Sequence, residues 1–66
     1  MTAIYYDCLP LNESRWVLRC ACNGRESFRS NPGEGEREFV NRCMAYVKEK
    51  DTPERRAILR VYTEEW

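Results

Sequence analysis

The chain has 66 residues, eleven Lys and Arg against eleven Asp and Glu, and no histidine. The even charge balance excludes a basic nucleic-acid tail and a strongly acidic DNA mimic. The missing imidazole removes every Ser-His and Cys-His catalytic pair. A chain this short buries only roughly 60% of its unfolded surface, so it makes one domain over 1–66, with one core and no deep substrate cavity.

Residues 3–9 are rich in strand formers, with Ile4, Tyr5 and Tyr6 at their centre. Residues 10–14 read as a connection and 15–22 as a second strand, built on Trp16, Val17 and Leu18. Asn23-Gly24 is a hairpin signal, and a short third strand follows over 26–30. A two-residue turn at Asn23-Gly24 would set Arg19 opposite Phe28 and turn Phe28 away from Trp16 and Leu18. A three-residue loop, Cys22-Asn23-Gly24, with Gly24 in the left-handed position, pairs Leu18 with Phe28 and Cys20 with Glu26. It gathers Trp16, Leu18, Cys20 and Phe28 on one face and is the preferred register.

Residues 31–35 form a loop and a helix is predicted over 36–50. Phe39, Val40, Cys43, Met44 and Val47 fall on one helical stripe. Glu34, Glu36 and Glu38 near its start and Lys48 and Lys50 near its end match the helix dipole. Two readings of the last segment stay open. Thr52-Pro53 is a good helix start, whereas 57–63 is strand-like, with Leu59 and Val61 inward and Arg60 and Tyr62 outward. The strand gives the tidier two-layer solution. The expected architecture is therefore α+β, an antiparallel sheet of three or four strands on one helix, in the order β-β-β-α-β, with a second helix as the alternative for the end.

The preferred register gives the other side of the hairpin Arg15, Val17, Arg19, Ala21, Arg25, Ser27 and Arg29. Four guanidinium groups on one face, with Arg60 and Tyr62 beside them, read either as an ordinary solvated face or as a surface that recognises phosphates or an acidic protein patch. Nine of the eleven basic residues are arginine, whose planar fork suits carboxylate and phosphate better than an ammonium does.

The rest of the chain calls for no cofactor. Gly33-Glu34-Gly35 lacks the remainder of either nucleotide fingerprint, and the acidic residues around it have no shielded pocket in which to act as acids. No signal segment and no apolar run of spanning length is present, so a cytoplasmic protein is expected, with Cys8, Cys20, Cys22 and Cys43 as thiols. Cys20-Ala21-Cys22 is the one close pair a metal site could use, but it lacks the second pair or the histidines that zinc sites add, which favours buried thiols over metal.

Two resemblances follow from these residues. Glu36 to Met44 resembles a Glu-x-x-Phe-Val-x-Arg-Cys-Met segment of tailed-phage and prophage proteins, in which a Pro and a terminal Trp often follow, as Pro53 and Trp66 do here. The Gln-Arg and second Cys usual between them are missing. The resemblance implies a phage or mobile-element origin and, with the size and the lack of catalytic groups, an accessory protein similar in style to anti-CRISPR inhibitors, acting on a host defence complex by stoichiometric binding. The layout of three strands and a helix, with Trp16-Val17-Leu18 and Asn23-Gly24-Arg25, also resembles the arm-binding domains of phage integrases. That resemblance implies nucleic-acid binding through Arg15, Arg19, Arg25 and Arg29. A homodimer built on a sheet edge or on Tyr62 and Trp66 is the third expectation.

Overall fold

The computed structural model describes residues 2–62. The elements run β1 (Thr2–Pro10), β2 (Trp16–Cys20), β3 (Glu26–Arg29), α1 (Glu36–Lys50) and β4 (Arg55–Val61). They build a four-stranded sheet in the order β3-β2-β1-β4 with the helix across one face. The final segment is a strand, the reading that the two-layer solution favoured. Thr63, at the end of the expected strand, and Trp66 lie outside the described residues.

The sheet is mixed rather than antiparallel. β1 pairs antiparallel with β2 but parallel with β4, with Tyr6 opposite both Cys20 and Leu59. A hairpin cannot join parallel strands, so the connection into β4 must cross the sheet, and α1 is that crossover. β1 thereby occupies the interior of the sheet, between strands drawn from both ends of the chain.

Alternation along the strands sends Ile4, Tyr6 and Cys8, Trp16, Leu18 and Cys20, Phe28, and Ala57 and Leu59 toward the helix. Phe39, Cys43 and Val47 meet them from α1. Leu18, Phe39 and Cys43 are fully enclosed. Phe28 sits edge-on to both Phe39 and Tyr46, with centroids 5.6 and 5.3 Å away. The helical stripe is rotated from its expected position. Tyr46 packs on the core, while Met44 is 55% exposed. Leu9, Val17 and Ile58 alternate onto the opposite face of the sheet and are not part of this core.

The ends of the elements are set by local bonds. The backbone N–H of Gly35 donates to Glu38 Oε1 at 2.8 Å, and that of Asn31 to Glu34 Oε1 at 2.8 Å, which supports the entry to α1. Ser30, fully buried at the end of β3, accepts the Trp16 N–H through Oγ at 2.9 Å. Among the described residues no buried side-chain N or O lacks a partner.

The hairpin keeps the expected pairing of Leu18 with Phe28, but not that of Cys20 with Glu26. A bulge between Leu18 and Arg19 moves Glu26 opposite Arg19 and Arg25 opposite Cys20, whose N–H donates to Arg25 O at 2.9 Å. The loop between the strands runs over 21–25, with Gly24 at φ +71°. The bulge absorbs the extra residue that keeps Phe28 inward while letting Glu26 turn outward to water.

Candidate functional site

The face of the sheet turned away from α1 is the candidate site. Its central row runs across all four strands. Arg60 lies opposite Asp7, Asp7 opposite Arg19, and Arg19 opposite Glu26, so the charges alternate from edge to edge. Arg60 donates through Nε and Nη2 to the two oxygens of Asp7, at 2.8 and 3.2 Å. Arg29 holds Glu26 in the same forked way, at 2.9 Å for both bonds. These charge-assisted forks push the Arg60 and Arg29 guanidiniums further up and the Glu26 carboxyl below its usual range.

Aromatic and apolar groups flank the row. The Arg60 guanidinium lies 4.6 Å from the Tyr5 centroid and 5.9 Å from that of Tyr62, and both rings are partly exposed. Tyr5 also lies opposite Ile58, and Leu9 opposite Val17. Val17 is only 5% exposed although no helix covers it.

The expected arginine cluster is therefore rearranged. Arg19, Arg29 and Arg60 share the face, and Tyr62 stands beside Arg60 as anticipated. Arg15 folds to the end of β3, donating through Nε to Ser30 O at 3.0 Å. Arg25 lies outside the ladder, in the loop before β3, where its N–H donates to Asn23 Oδ1 at 2.9 Å. Tyr5, Asp7 and Glu26 join the face and were not recognised from the sequence. Tyr5 and Asp7 occupy alternate positions of β1 and carried a period-two signal, but their neighbours depend on the strand order, which no local pattern encodes.

Among the described residues, no three Cys, Asp or Glu side chains converge as a metal site would require, and no helix is long and apolar enough to cross a membrane. An open groove of about 390 Å³ lies between α1 and β4, lined by Met44, Val47, Lys48, Asp51, Ala57 and Leu59. Comparison with family models, curated proteins and solved structures gives no match.

Proposed function

We propose that this chain is a non-catalytic binding protein that meets a protein partner through the uncovered sheet face. The observation that carries the reading is Arg60, locked on Asp7 and stacked between Tyr5 and Tyr62 at an exposed position. Tyr and Arg dominate the energetic centres of protein interfaces, and a guanidinium already fixed by a forked bond loses less freedom on docking. The alternating row favours a partner of matching charge pattern over a uniform polyanion.

The narrower proposal is a stoichiometric inhibitor of a host defence complex, working in the cytoplasm like anti-CRISPR proteins. Its support is the small size and the phage-like segment Glu36–Met44. A second reading, a nucleic-acid-binding module, is favoured by Arg19 and Arg29 on the same face with Arg15 at its border.

The test is expression in a bacterium with an active nucleic-acid-guided defence, comparing phage plating with and without the chain. Restored plating, lost in a folded Tyr5→Ala/Arg60→Ala variant that also fails to capture the defence complex, supports the inhibitor reading. Unaffected plating and no captured complex reject that inhibitor reading. Salt-sensitive binding to duplex or single-stranded DNA by the native chain moves the function to the second reading.

A further inference from the structure

The loop from β2 to β3 brings together two sulfurs that the sheet-face reading does not use. As residues two apart on one extended strand, Cys20 and Cys22 would share a face but stand about 6.6 Å from each other. The strand ends at Cys20, however, and the chain turns at Ala21. The two Sγ atoms are 3.0 Å apart. Closing that gap to the ~2.05 Å of a disulfide bond takes about 1 Å of movement.

The backbone, more than side-chain chance, holds this approach. Ala21 N–H donates to Tyr5 O at 2.9 Å, Gly24 N–H to Cys20 O at 2.8 Å, and Arg25 N–H to Asn23 Oδ1 at 2.9 Å. Cys20 is buried, and access through Cys22 separates this pair from the other two thiols. Cys22 is exposed, while Cys8 and Cys43 are sealed between sheet and helix.

We propose that Cys20 and Cys22 form a dithiol modification site that exchanges with low-molecular-weight disulfides, glutathione disulfide being the model, and closes to an intramolecular disulfide. In the first step the Cys22 thiolate attacks one glutathione sulfur, forms a mixed disulfide and releases one glutathione thiolate. The Cys20 thiolate then attacks the Cys22 sulfur, forms the Cys20–Cys22 bond and releases the second glutathione thiolate. Two thiols of the protein are oxidised, one glutathione disulfide is reduced to two glutathiones, and the two protons pass to the released thiolates. In the dithiol the shared S–H···S bond holds Cys20 below and Cys22 above their ordinary ranges, so access and not thiol acidity makes Cys22 the attacking sulfur.

Trypsin cuts after Arg19 and Arg25, so the fragment 20–25 holds both cysteines and no other. The folded chain is equilibrated in glutathione buffers of graded ratio, acid-quenched, denatured and alkylated, then mapped by mass spectrometry. The expected fragment 20–25 has lost two hydrogens and takes no alkyl group, while Cys8 and Cys43 are both alkylated. The fragment should be more oxidised in the folded chain than in urea at the same glutathione ratio. A Cys20→Ser variant should instead keep one glutathione on Cys22. Full alkylation of the fragment at every ratio overturns the proposal. So does a mixed disulfide that persists in the native chain, or equal oxidation in urea.

Discussion

Arg42 on α1 lays its guanidinium over the ring of Phe28 on β3, 5.0 Å from the centroid, and over Phe39 at 5.5 Å. The same group is held by Glu34 through Nε at 2.8 Å and Nη2 at 2.9 Å. One side chain thus closes the open end of the core and ties the loop before α1 to the helix. Arg42→Ala should lower the melting temperature, and Arg42→Lys should recover only a minor part of the loss. An ammonium cannot fork to the carboxylate while lying flat on a ring. Full recovery by lysine in a thermal unfolding series would show that charge alone matters at this position.

The same pairing makes stability depend on acidity. The hydrogen bond from Arg42, with that from the Asn31 backbone, holds the Glu34 carboxyl below its ordinary range, and Arg29 does the same for Glu26. A carboxyl with a lower pKa folded than unfolded binds fewer protons in the native state. Its contribution is complete above the unfolded value of about 4.3 and disappears as pH falls through the folded value. Glu34→Gln should therefore be less stable than the native chain at pH 7, with the gap closing as urea unfolding is repeated at lower pH. A gap of constant size down to acid pH contradicts the assignment.

Gly24 has φ +71° with nothing within 4 Å of the position a Cβ would take. Its requirement is conformational and not steric crowding by neighbours. Gly24→Ala should cost about 1–2 kcal/mol, and Gly24→Asn less, since Asn tolerates the left-handed region. On the roughly 0.05–0.15 kcal/mol per residue typical of native stability, the alanine cost is readily measured by denaturant unfolding. Equal stability of the three chains would mean that the loop relaxes to another turn.

The alternating row explains why a face with several arginines is not simply basic. Asp7→Asn with Glu26→Gln removes both negative members and leaves Arg60, Arg19 and Arg29 in place. The variant should bind duplex DNA more tightly than the native chain at low salt, with affinity falling steeply as salt rises. A fluorescence-anisotropy titration reads both. No gain over the native chain would place the working charges elsewhere.

Much of the architecture was legible in the sequence. The helix bounds 36–50 follow from its apolar stripe and its terminal charges, and the pairing of Leu18 with Phe28 from the demand that Trp16, Leu18 and Phe28 share a face. The direction of β4 was not legible, because alternation in 57–63 is the same whether the strand runs up or down its neighbour. The position of the bulge, between Leu18 and Arg19, was missed for a related reason. It leaves Phe28 where a regular ladder would put it and changes only the facing of Glu26 and Arg25, polar residues that no hydrophobic pattern constrains. The site inherits both errors. Tyr5 and Asp7 meet Arg60 only because β4 lies parallel beside β1.

That placement also governs how the molecule can assemble. With β4 absent, β1 becomes a nine-residue boundary strand whose outward N–H and C=O groups seek any extended chain. A fragment ending before Arg55 would carry the hairpin and the helix yet offer this ribbon to its own copies. Self-association through β1 is then the expected fate of an unfinished chain, and pairing with the last strand is what covers that ribbon.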